Sequence, residues 1–196
     1  MCFNLFGIKV EIKFLFLAVV ALLLSYDASG VMLCAFLCSA VHELAHLTAL
    51  LALKGEVKSV TFEAFGIRIT RVDALLVWEE LVVLLAGPAA NLLLFVLCGN
   101  SLIRAVNLCI GVFNLLPVGS LDGGRAASLI LTAILGEQTG RRASLILSLL
   151  IIVPLFVLGV VLLLRPNHNF SLLVVCVFLA LSLIVELRTK KTSVML

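Results

Sequence analysis

Apolar residues run almost unbroken through six stretches of the chain, at roughly 14–25, 31–53, 79–98, 102–117, 144–164 and 169–187. A helix needs about 20 residues at 1.5 Å rise to cross a bilayer's hydrocarbon core. The second, third, fifth and sixth stretches reach that length. The first is short, and the fourth stops at Pro117 and resumes over 125–135. This pattern predicts an all-α polytopic membrane protein with about six transmembrane helices. Two segments carry a different period. GIKVEIKF alternates Ile8, Val10 and Ile12 with Lys9, Glu11 and Lys13, and SVTFEAFGIRITR alternates around Gly66, which suits a turn. Period two predicts β-strands with one apolar face. Open sheet edges are not tolerated in hydrocarbon, so these short strands are expected at the interface. The alternative is an amphipathic loop joining the second and third helices.

Composition supports the membrane reading. Of 196 residues 63% are hydrophobic and 13% charged, and the mean hydropathy is +1.30. A soluble domain of this size could not bury so much apolar surface. The length fits a single membrane-embedded domain over 1–196, with a core at about 5–135 and two further helices over 140–196. Alternating six crossings from a cytosolic N-terminus puts twelve of the fourteen Lys and Arg residues inside, leaving Arg104 and Arg165 outside. That asymmetry obeys the positive-inside rule and predicts two cytosolic termini. No basic patch is interleaved with aromatics, so no nucleic acid is expected as a partner. The N-terminus lacks a signal-peptide cleavage site, which makes the first apolar segment a retained span. Five of the six cysteines lie in apolar stretches, where cysteine packs as a small hydrophobe. Cys34 and Cys38 share a face with His42, so metal binding is the alternative there.

Candidate chemistry begins with SAVHELAHLTAL, residues 39–50. A charged group at mid-bilayer costs on the order of 2.5–3.5 kcal/mol, so Glu43 needs a partner or a wet cavity. Residues four apart on a helix lie one turn apart on the same face. His42 and His46 can therefore reach one ion, with Glu43 beside them positioned for a metal-activated water. The alternative is a polar helix contact or a proton relay.

A catalytic zinc needs three protein ligands and one open position. His168 falls in RPNHNF, which reads as a solvated turn, and Glu79 and Glu80 suit the N-terminus of the third helix. Asp122 remains, in NLLPVGSLDGGR. Pro117, Gly119, Gly123 and Gly124 break the helix there. Asp122 either completes a His–His–Asp site or caps the next helix in an ordinary turn. AGPAANLL adds Gly87, which permits close helix approach, and Asn91. An amide in hydrocarbon must find a partner, as a support for a metal ligand or substrate or as interhelical glue.

HELAH, AGPAAN and NLLPVGSLDGG, in that order and spacing, resemble the site-2 protease family of intramembrane metalloproteases. The resemblance covers about residues 5–135. Small size and the short N-terminal strand are similar to the branch containing a sporulation protease that processes a pro-sigma factor. The CBS domain common in that branch is not expected here. The resemblance implies Zn²⁺ held by His42, His46 and Asp122, with Glu43 as general base and proton donor. It makes Asn114 and Pro117 the shaping residues of the broken helix, followed by Gly123 of the D-G pair, and Asn91 a support for substrate or site. It also implies a membrane-protein substrate, a lipid environment, a possible membrane regulator and a possible oligomer. Two other functions use the same side chains: a metal or proton transporter, and an inactive membrane scaffold. The scarcity of polar residues in the last two spans, Ser148, Ser171 and Ser182 among them, argues against transport. The intact Glu43 argues against the scaffold.

Overall fold

The computed structural model describes residues 2–5, 8–25, 27–63, 66–71, 75–165 and 170–192; His168 lies outside them. The elements are β1 (Cys2–Leu5), β2 (Ile8–Ile12), α1 (Phe14–Ser25), α2 (Val31–Ala52), β3 (Val57–Glu63), β4 (Gly66–Arg71), α3 (Val77–Leu97), α4 (Ser101–Asn114), α5 (Asp122–Leu135), α6 (Glu137–Leu163) and α7 (Ser171–Thr192). They fall into two compact units, Met1–Val112 and Phe113–Leu196.

In the first unit the period-two segments form one sheet in the order β1-β2-β3-β4. β2 and β3 are parallel, with Val10 opposite Val60, while both outer pairs are antiparallel. Parallel neighbours need a crossover, and α1 and α2 supply it. The Lys13 amide continues the pairing by donating to the Phe62 carbonyl at 3.1 Å. The Phe16 ring then packs 5.4 Å from Phe62 and 6.2 Å from Phe36, fastening α1 to the sheet and to α2. Gly66 opens β4 opposite Glu63. β1 carries no alternation long enough to be read from sequence, and is defined by its pairing with β2.

α2 and α3 are inside-out amphipathic helices. Cys38, His42, His46 and Leu50 form the buried stripe of α2, while Leu33, Phe36, Leu37, Leu44 and Leu51 face outward. On α3, Leu84, Gly87, Pro88 and Asn91 are buried, while Val82, Leu85, Leu93 and Val96 are exposed. Polar side chains inside and large aliphatic ones outside are the arrangement that a lipid solvent selects. The first turn of α3 is held by acids. Glu79 Oε2 accepts the Leu76 amide at 2.8 Å, and Glu80 makes a two-pronged pair with Arg71 at 2.7 and 2.9 Å. Both acids suit the positive end of the helix dipole.

In the second unit, Val118, Leu121, Ile152, Leu179 and Leu183 make the core, packed by Phe113, Leu116, Leu145, Ile151 and Val175. Among the described residues, three helices are long and apolar enough to cross a membrane: α2, α3 and α6. α4 and the stretch Ser171–Val185 are apolar but shorter. The break after Asn114 is the physical reason α4 falls short of the span expected there: 14 residues rise only about 21 Å.

Candidate metal centre

His42 and His46 are buried on one face of α2, and their rings meet edge to face with centroids 4.7 Å apart. Each Nδ1 is tied to α3. The Val83 carbonyl accepts the Nδ1–H of His46 at 2.7 Å. Because a carbonyl can only accept, that proton sits on Nδ1 and leaves Nε2 with a lone pair. His42 Nδ1–H donates to Asn91 Oδ1 at 2.5 Å. The two Nε2 atoms then converge at 3.0 Å. Two lone pairs at that separation repel unless a cation or a proton lies with them. Two nitrogens held 2.0–2.1 Å from a tetrahedral zinc are about 3.3 Å apart, so the pair fits such an ion.

Gly87 keeps the space before the pair open. A Cβ built on it would stand 2.7 Å from His42 Nε2 and closer still to His46 Nε2. Only glycine at this position lets α3 pass so near the two rings. Asn91 is fully buried, and its Nδ2 donates to Asn107 Oδ1 at 2.7 Å and to the Cys38 carbonyl at 3.3 Å. The amide thus touches a histidine and also ties α3 to α2 and α4. Glu43, next to His42 on α2, is half-buried. Cys38 Sγ accepts from Asn107 Nδ2 at 3.2 Å and lies 4.0 Å from Cys34 Sγ.

The second unit holds the other sequence candidates. Asn114 ends α4, and Pro117 lies in the irregular link to α5. The link is tied down by backbone bonds from Val118 to Leu116 and from Leu121 to Val118, each 2.8 Å. The Ser148 hydroxyl of α6 accepts the Gly119 amide at 3.1 Å. Asp122 is the first residue of α5, whose N-cap is Leu121. Gly123 and Gly124 are buried, and a Cβ on either would overlap the Leu115 or Val118 carbonyl, respectively. The glycines therefore let the link fold back on the first turn of α5. Two contributors escaped the sequence reading. Val83 acts through its backbone and leaves no side-chain signal, whereas Asn107 was visible as a second amide in an apolar segment.

A family model described as Peptidase family M50 matches residues 99–158, the stretch containing NLLPVGSLDGG. A candidate zinc metalloprotease of Synechocystis sp. is 34% identical over 113 residues, covering 50% of this chain and 30% of that protein. The chain thus spans under a third of that relative's length. The fold is similar to that of the Site-2 Protease from Methanocaldococcus jannaschii, with a TM-score of 0.67, 17% identity and 93% of each chain covered. The structural likeness shows a fold shared with that protease.

Proposed function

We propose that this chain is an intramembrane zinc endopeptidase. His42, His46 and Asp122 hold the ion and Glu43 is the general base. The observation that carries the reading is the convergence of two imidazole Nε2 atoms at 3.0 Å on a helix of membrane-spanning length. His42 and His46 supply two of the three protein ligands that a catalytic zinc takes, and the third is assigned to Asp122, the acid that opens α5. Bound there, zinc would supply Lewis acidity toward a peptide carbonyl and toward the attacking water.

The protein's own groups do the rest. Glu43 takes a proton from the water as it attacks the carbonyl carbon, and returns it to the departing amine nitrogen as the C–N bond breaks. Buried His42 and His46 stay fixed because each is held at Nδ1, so little reorganisation accompanies the reaction. A membrane-spanning substrate must unwind before its carbonyls are available. An edge strand can hold an unwound segment by β-addition, and β4 lies at one edge of the sheet. The substrate class is a membrane-spanning or membrane-tethered protein, with a transcription regulator such as a pro-sigma factor as the first candidate. Cleavage takes place toward the cytosolic leaflet, where the positive-inside count puts both termini.

The test is Glu43→Gln in the full chain, reconstituted in nanodiscs. Zinc content is measured alongside cleavage of a panel of fluorogenic transmembrane peptides. The variant is expected to keep zinc and lose at least about 100-fold in rate. Cleavage at the wild-type rate by Glu43→Gln would sink the role of Glu43. Metal flux into proteoliposomes without any cleavage would replace the reading with a transporter.

A further inference from the structure

We propose that Asn107 of α4 is a positioning residue that dictates, through Asn91, which nitrogen of His42 carries the lone pair for the metal. The inference rests on the zinc-site reading for its purpose, but the geometry stands independently of it.

The relay starts at a backbone carbonyl. Asn107 Nδ2 lies 2.9 Å from the carbonyl of Ile103, which can only accept. That fixes the amide: its NH₂ faces Ile103 and the Cys38 sulfur, and its Oδ1 faces Asn91. An oxygen facing Asn91 must receive a donor, so Asn91 presents Nδ2 to it at 2.7 Å. The Cys38 carbonyl, also an obligate acceptor, lies 3.3 Å from the same Nδ2 and reinforces the choice. Asn91 is left with Oδ1 toward His42 Nδ1 at 2.5 Å. The proton of the neutral imidazole is thereby held on Nδ1, and the lone pair on Nε2 points at His46.

Turning both amides over would reverse every bond in the chain. Asn91 Nδ2 would then donate to His42 Nδ1, the ring proton would move to Nε2, and the metal-facing nitrogen would be blocked. Both asparagines are wholly buried, with no exposed surface. Water therefore does not offer the alternative partners that would make the two arrangements equivalent. The His46 ring needs no such relay, because it bonds directly to the Val83 carbonyl. The two histidines therefore respond differently to loss of Asn107.

That difference gives the test. Metal-free full-length protein, labelled with ¹⁵N-histidine and held in nanodiscs, is compared as wild type and Asn107→Leu. The ring-nitrogen shifts report which nitrogen carries the proton. In the wild type both His42 and His46 are expected to carry it on Nδ1. In Asn107→Leu, His42 is expected to lose that preference while His46 keeps it. Zinc affinity, measured by chelator competition, should fall about 10–100-fold, the usual cost of losing a partner behind a metal ligand. Asn107→Ala serves the same comparison if the leucine variant does not fold. An unchanged His42 overturns the proposal. Parallel changes in both histidines overturn it too, because they show a merely structural role. If wild-type protein binds no zinc yet the shifts behave as expected, the relay stands and the peptidase reading fails instead.

Discussion

His42 Nε2 and His46 Nε2 face each other at 3.0 Å, while the opposite nitrogen of each ring is held by a different acceptor on α3. The separation is a consequence of i, i+4 spacing on one helix. The direction of the lone pairs is a consequence of the neighbouring helix. Removing either ring, by His42→Ala or His46→Ala, is expected to weaken zinc binding by more than the roughly 10–100-fold cost of losing an outer partner. Zinc content after dialysis against a graded chelator series measures this. Full retention of zinc by both variants would show that the pair does not hold the metal.

Gly87 faces the same two nitrogens from α3. A methyl group there would occupy the space in front of both Nε2 atoms. Gly87→Ala is expected to cost about 1–3 kcal/mol through overpacking and to abolish zinc uptake. Thermal unfolding in detergent, read beside metal content, separates the two effects. Normal zinc content in a folded Gly87→Ala protein would contradict the geometry.

Ser148 supports the link before Asp122. Its hydroxyl accepts the Gly119 amide and also donates to the Pro117 or Ser144 carbonyl, at 3.3 and 3.0 Å. Ser148→Ala leaves the buried Gly119 amide without that acceptor, and a loss of about 1–3 kcal/mol is expected. The resulting fall in melting temperature should exceed that of Ser171→Ala, at the exposed first residue of α7. Equal shifts for the two would show that the link does not depend on α6.

Asp27 gives a pH signature outside the spans. The Leu33 amide donates to its Oδ2 at 3.0 Å, and the Ser29 hydroxyl donates to Oδ1 at 3.0 Å. These bonds, the backbone one foremost, hold the carboxyl below its ordinary value of 3.8. A carboxylate with a lowered folded-state pKa stabilises the fold above its unfolded value, and that contribution is lost as pH falls through the folded value. Asp27→Asn should therefore melt below wild type at neutral pH, with the gap closing only in strong acid. A gap that persists unchanged at the lowest pH would exclude the linkage.

How much of the site was legible depended on whether its geometry was local. HELAH could be read because helical spacing alone puts two imidazoles on one face. The sheet could be read because period two distinguishes strands from the apolar helices around them, although β1 was too short to show it. The break at Pro117 was visible in the glycine and proline content, and α4 and α5 are separate helices on either side of it. Asn91 was noticed as an amide without an assigned partner. Its bond to His42 spans 49 residues, and its bond to Asn107 spans 16.

The sequence by itself determined that a histidine pair would sit on one face of an apolar helix, because backbone periodicity is a local property. It also determined that polar groups in apolar segments would be drawn inward, because lipid offers them no hydrogen bonds. Only the tertiary structure decided which nitrogen of each ring carries the lone pair and how α3 passes so near it. Those choices are made by a carbonyl at Val83, an amide at Asn91 and the missing side chain of Gly87. Each reaches the histidines through space, from a helix whose placement no local pattern specifies.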